Sequence, residues 1–257
     1  MSNVNIGFIK MPKKKEQWNP TCERFVAFLD IMGFRDMVVG STHQSVYQIL
    51  KSFRPTIDPI EYAAKRTLAR KGVKTSNGEI YYFKSIVRPI VFSDSIILIT
   101  ADDSEDGAYE MFFNIEWVIR NAIRQGIPIK GAIAHGKQTA DFNKSLHFGK
   151  PLIYAYELQN ELLLYGAVLH HSMEKRLVDI GKIQLFDSLD IYRYPVPMKS
   201  GKINHYIVDW IGDSKNSCEL VSNLYNSVSG KPRKYVDNTI EFLKWLKKEK
   251  ARLKKNK

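Results

Sequence analysis

Hydrophobic positions first cluster at Phe25, Val26, Ala27, Phe28 and Leu29, an unbroken run that stops at Asp30. Such a run is expected of a strand buried on both faces. Ile31, Met32, Gly33 and Phe34 follow, and Ser41-Thr42-His43 then resembles a helix start, with Val46, Ile49, Leu50 and Phe53 at helical spacing. Pro55, Pro59, the basic stretch Lys65 to Lys74 and Ser76-Asn77-Gly78 mark 54–80 as an insertion or connection with a short helix near 60–70. Ile86 to Thr100 reads as a hairpin turning at Ser93-Asp94-Ser95, with Pro89 favouring an edge or bulge for its first strand.

The clearest helix runs from Asp103 to Gln125. Ala108, Met111, Phe112, Ile115, Val118, Ile119, Ala122 and Ile123 form its stripe, and Gly126 and Pro128 end it. Ile127 to Gly136 is a strand whose small residues mark a place of close approach. A helix opens at Gly149-Lys150-Pro151, runs through Leu164 and is stopped by Gly166. A short strand at Ala167 to Leu169 and a short helix at Ser172 to Val178 come next. Strands at Lys182 to Phe186 and His205 to Trp210 follow, with a proline-rich loop from Tyr194 to Lys202 before the second. Residues 217–257 read as two helices, the last amphipathic and basic. This order predicts an α+β or α/β sandwich with one mixed sheet. It occupies 21–212, between an N-terminal basic segment (1–20) and a C-terminal helical extension (213–257).

Composition narrows the class. With 257 residues, 44% hydrophobic and 26% charged, the chain can bury one sizeable core. No apolar run approaches the roughly 20 residues of a membrane span. The N-terminus lacks the apolar core of a secretory signal, so a cytoplasmic protein is expected. Cys22 and Cys218 have no paired spacing, which argues against disulfide frameworks and structural zinc. The net charge of +12 sits almost entirely at the ends: four lysines within 1–15, and eight Lys or Arg against Glu249 within 244–257. A nucleic-acid-binding fold spreads basic residues over a folded face, so direct nucleic-acid binding is not expected.

Candidate chemistry begins at Asp30. Before a Gly-containing turn it either caps the next element or holds a divalent metal beside a phosphate, with backbone N–H groups at 31–35 available. Asp94 lies in the turn of the hairpin that a ferredoxin-like order would set beside that strand. Two carboxylates there would make a two-metal phosphate site suited to displacement at the α-phosphorus of a nucleoside triphosphate. His135 reads as structural, and His170-His171 has no carboxylate or Cys spaced to make a metal site. Trp117, Trp210 and Trp245 read as packing.

Several segments, in order, resemble the class III nucleotidyl cyclases. FLDIMGF matches the F-x-D-I-x-G-F signature that opens their catalytic domain, and FSDSIIL stands at their metal-binding hairpin with Ser93 replacing Gly. IPIKGAIAHGK, FGKPLIYAYEL and MKSGKINHYIVDW resemble their later Gly-containing strand, their G-x-x-V-N-x-A-x-R-L helix and their closing K-G-K…Y strand. The resemblance implies a ferredoxin-like cyclase sandwich at 21–212, with Asp30, the Ile31 carbonyl and Asp94 holding two metals, Mn²⁺ with Mg²⁺ as the alternative. It also implies that the amides of Met32, Gly33 and Phe34 meet the β- and γ-phosphates, that Lys199 or Lys202 pairs with the triphosphate, and that a homodimer builds the site.

The departures are informative. Ile153 and Glu157 stand where the family carries its transition-state Asn and Arg, with Lys130, Arg88 and Arg35 as candidate replacements. Ile90 and the vicinity of Leu146 stand where it reads adenine. A stand-alone cyclase with these replacements is similar to the bacterial pyrimidine cyclases of the Pycsar antiphage system. Those make cyclic UMP or cyclic CMP for a separate effector. Tyr47, Tyr154 and Tyr156 are the aromatic candidates for the base, and UTP is expected before CTP. The alternative is a degenerate cyclase fold that binds nucleotide without chemistry.

Overall fold

A computed structural model describes residues 18–53, 87–180, 190–212 and 216–255. Residues 1–17 of the N-terminal basic segment, the insertion read at 54–80 and the strand expected at Lys182 to Phe186 lie outside those residues. Strand β1 (Thr21–Ile31) is followed by helices α1 (Phe34–Gly40) and α2 (His43–Ser52) and by the hairpin β2 (Val87–Phe92) and β3 (Ser95–Thr100). Helix α3 (Glu105–Arg124), strands β4 (Ile129–Asp141) and β5 (Leu146–Gly149), and helix α4 (Lys150–Glu161) come next. Strand β6 (Gly166–Leu169), helix α5 (His171–Asp179) and the hairpin β7 (Ile191–Met198) and β8 (Gly201–Val208) complete the sheet. The chain closes with α6 (Ser217–Ser222), a 3₁₀ turn (Asn223–Ser227) and α7 (Arg233–Lys255).

The mixed sheet runs β2-β3-β1-β4-β6-β8-β7, with β5 paired to β4. β1 is central: β4 pairs with its whole length, from Thr21↔Thr139 to Ile31↔Ile129, and β3 covers Val26 to Asp30. The period of two along β1 explains its continuous apolar run. Phe25, Ala27, Leu29 and Ile31 enter the main core with the α3 stripe, while Val26 enters a smaller cluster with Ile99 and Ala140. Helix α4 crosses that second face over β4 and β1, with Tyr156 edge-on to Phe28 at 5.3 Å. Asp30 has the parity of Val26 and Phe28, and so emerges on the α4 side of the sheet.

Helix α3 begins where the sequence indicated. The Ser104 side chain accepts from the Gly107 N–H, Glu105 and Asp106 fill the first turn, and Gly126 adopts φ +75° beyond its end. The helix expected to run through Leu164 ends at Glu161, and two strand readings also change. The proline-rich loop expected at Tyr194 to Lys202 is the hairpin β7–β8, because β7 is an edge strand whose Pro195 and Pro197 need donate nothing outward. The strand expected to stop at Gly136 continues to Asp141, where β5 pairs with it. Helix α7 shares the main core, which receives its Val236, Phe242, Leu243 and Leu246.

Candidate active site

Asp30 is the penultimate residue of β1. Its register partners are Ser95 on one side and Lys130 on the other. Ser93 and Asp94 form the two-residue turn between β2 and β3, and Ser93 adopts φ +54°, a conformation that favours Gly at such turns. The Ile31 N–H donates to the Asp94 carbonyl at 2.7 Å, tying the hairpin tip to the end of β1. Two acids far apart in sequence thereby meet at one sheet end.

Their electrostatics follow from that placement. Burial pushes the Asp30 carboxyl above its ordinary value, Lys130 opposes the rise, and the neighbouring Asp94 adds to it. Lys130 Nζ lies 4.0 Å from Asp30 Oδ2, and Lys130 is only 5% exposed. Its ammonium is pulled below its usual range by burial first; Asp30 and Glu161 resist this, and Lys199 reinforces it. Among the described residues no three His, Cys, Asp or Glu side chains cluster as a metal site. What this end of the sheet offers is hard oxygen from two aspartates, one held at raised pKa by burial and by the other. A divalent cation would relieve that arrangement, so the donor set fits Mg²⁺ or Mn²⁺.

The β1–α1 turn lies beside these acids. Gly33 adopts φ +75°, and no atom of the described residues lies within 4 Å of where its Cβ would stand. Met32 is engaged differently from the expectation. Its N–H donates to the Pro128 carbonyl at 2.9 Å, fastening the turn to the start of β4. Lys199, in the β7–β8 turn, is held by its own N–H on the Glu161 carbonyl at 2.8 Å, within electrostatic reach of Lys130. Lys202 stands opposite Pro197 on β8 and is exposed.

The other candidates separate. Arg88 packs its guanidinium over Trp18 at 4.3 Å and Phe142 at 5.0 Å. It is opposite Ile99, which pairs with Val26, so it lies four residues along the sheet from the level of Asp30. Arg35 is exposed on α1. Ile153, Tyr156 and Glu157 lie exposed on α4, whereas Tyr154 turns aside to stack on His170 at 4.7 Å. Tyr47 is exposed on α2. His135 is structural in its contacts: its Nε2 meets Asp103 Oδ2 at 3.0 Å, Arg176 Nε meets the same oxygen at 2.9 Å, and its N–H donates to Ser172 Oγ. His170 caps α5, its Nδ1 accepting from the Ser172 N–H.

One neighbour escaped the sequence reading. Tyr235 of α7 places its ring centroid 6.0 Å from Lys130 Nζ, and its phenol is pushed up by burial and by the Asp30 carboxylate. No motif marked it. Lys130 itself was legible as a single charge inside the apolar run IPIKGAIA.

No protein-family model matches the chain, and no curated protein does. Solved structures to which this chain is similar include three nucleotide cyclases. One is the catalytic core of a rhodopsin-guanylyl cyclase with converted specificity, in complex with ATPαS (14% identity, 74% of this chain and 98% of that one, TM-score 0.42). Another is a bacterial light-regulated adenylyl cyclase (11%, 82% and 60%, 0.44). The third is the guanylyl cyclase Cya2 (12%, 76% and 96%, 0.37).

Proposed function

We propose that this chain is a metal-dependent nucleotide cyclase, acting on a pyrimidine nucleoside triphosphate, UTP before CTP, and forming the 3′,5′-cyclic monophosphate and pyrophosphate. The observation that carries this reading is the placement of Asp30 and Asp94 at one sheet end beside Lys130 and the Gly33 turn. In the reaction the ribose 3′-oxygen bonds to the α-phosphorus as the bond from that phosphorus to the β-phosphate oxygen breaks. Pyrophosphate departs with the electron pair, and the hydroxyl proton passes to solvent.

Asp30 and Asp94, with the Ile31 carbonyl, would hold two divalent cations, which supply charge neutralisation of the triphosphate and a more acidic 3′-hydroxyl. The Gly33 and Phe34 amides donate to phosphate oxygens. Lys130 and Lys199 bring positive charge to the triphosphate and leaving group, a role supported by the burial of Lys130 at the sheet end. Replacement of the family's adenine-reading positions by Ile90 and by the vicinity of Leu146 supports a pyrimidine. Exposed Leu146, Phe148, Ile153 and Tyr156, from the consecutive β5 and α4, support a homodimer that covers them. The cyclic nucleotide then serves a separate effector in antiphage signalling.

Purified protein with each of the four NTPs and Mn²⁺, followed by product mass, tests the reading. A cyclic pyrimidine nucleotide is expected, with turnover abolished in Asp30→Ala and Asp94→Ala while both stay folded. Undiminished turnover in either variant refutes the site. Ile153 and Glu157 favour a second reading, a nucleotide binder without chemistry, which predicts NTP binding and no product.

A further inference from the structure

The sheet's charged end is not closed by the sheet alone. Lys130 has Asp30 on one side and the face of Tyr235 on the other, with its Nζ 4.0 Å from the Asp30 oxygen and 6.0 Å from the ring centroid. Tyr235 belongs to α7, beyond the last strand, and its ring is fixed by stacking on Tyr165 at 5.8 Å and 19°. Tyr165 immediately precedes Gly166, the register partner of Lys130 on β6. The backbone there is bonded to α7 twice: the Tyr165 N–H donates to Thr239 Oγ at 2.9 Å, and Asn238 Nδ2 donates to the Leu163 carbonyl at 2.7 Å. Thr239 lies one helical turn beyond Tyr235 and is fully buried, so the ring rests on an anchored helix.

We propose that Tyr235 is a positioning residue of the active site, its ring backing the Lys130 ammonium so that the charge is held beside Asp30 and presented to the triphosphate. The inference rests on the cyclase reading of this end of the sheet. An aromatic face suits the task because it attracts a cation without neutralising it. A carboxylate in the same place would compete with phosphate for the ammonium. The C-terminal helix thereby becomes part of the site rather than an appendage to the domain.

The test uses the full chain with Tyr235→Phe, Tyr235→Leu, Lys130→Gln and the double variant Lys130→Gln/Tyr235→Leu. Tyr235→Leu should lower kcat/KM roughly three- to thirtyfold, the range spanned by cation–π contacts, with the larger change in KM. Tyr235→Phe, which keeps the ring, should retain the wild-type constants within about twofold. In the Lys130→Gln background, Tyr235→Leu should cost no further activity. Full activity in Tyr235→Leu, equal losses in the Phe and Leu variants, or an undiminished loss in the Lys130→Gln background overturns the proposal. A wild-type protein that turns over no NTP refutes the cyclase reading instead. The contact is then decided by urea unfolding of the wild type, Tyr235→Leu, Lys130→Gln and the double variant, where non-additive stabilities support it and additive ones overturn it.

Discussion

Gly131→Ala probes the close approach on which the site depends. A Cβ on Gly131 would lie 2.3 Å from Leu29 Cδ2, 2.7 Å from the Phe28 carbonyl oxygen and 3.2 Å from Leu29 Cα. The leucine methyl can turn away, but the carbonyl and the Cα belong to β1, so the two strands must part locally. Overpacking of this kind costs about 1–3 kcal/mol. The lower chain entropy of alanine in the unfolded state returns about 0.4–1 kcal/mol. A net loss of about 1–2 kcal/mol is expected, which for a domain of this size lowers Tm by roughly 2–8 °C. Because Gly131 opposes Leu29 while Lys130 opposes Asp30, the same parting loosens the charge pair. Turnover should therefore fall even well below the new Tm. Urea unfolding gives the first quantity, and product formation at low temperature gives the second. A variant within about 0.3 kcal/mol of wild type would refute the rigidity assigned to this ladder.

Further outcomes follow from other buried charges. The His170 imidazole is pulled down to about 4 by burial and by the nearby His171 and His205. Its neutral form is favoured in the fold, so its contribution is complete above the ordinary value of 6.5 and is lost as pH falls from there to about 4. Imidazole NMR should follow a midpoint near the lower value, and a midpoint near 6.5 would contradict the packing. Lys250 ion-pairs with Asp209, which is 2% exposed and also accepts the Ile211 and Gly212 N–H groups. Lys250→Met should cost about 3–5 kcal/mol by stranding the carboxylate, and adding Asp209→Asn should recover much of it. Unchanged denaturation of the single variant would show that the pair does not hold α7.

Legibility in the sequence followed the range of the interactions. The α3 stripe and the Ser93-Asp94 turn are local, and both were readable from spacing and turn chemistry. Asp30 was readable because a charge terminating an apolar run is conspicuous. The β7–β8 hairpin was not, since Pro195 and Pro197 look like loop residues until β7 is known to be an edge. The engagement of the Met32 amide by Pro128 depends on how β4 enters the sheet, and nothing near Met32 signals it. Tyr235 lay hidden for the same reason. On its own helix it reads as one more aromatic, and its meaning comes from Lys130, reached only through the fold.

The pairing of Asp30 with Lys130 carries a consequence in time. The two strands are aligned residue for residue, yet their charged ends are separated by 100 positions of chain, and the ring behind Lys130 lies further on still. Synthesis at about 5–20 residues per second puts roughly 10–40 s between the appearance of Asp30 and that of Tyr235. Until the later segments arrive, the early strand holds an acid with no counter-charge and no hairpin tip beside it. On the cyclase reading, a nascent chain carries Asp30 and Asp94 well before Lys130 and Tyr235, so the full constellation proposed for the site awaits α7.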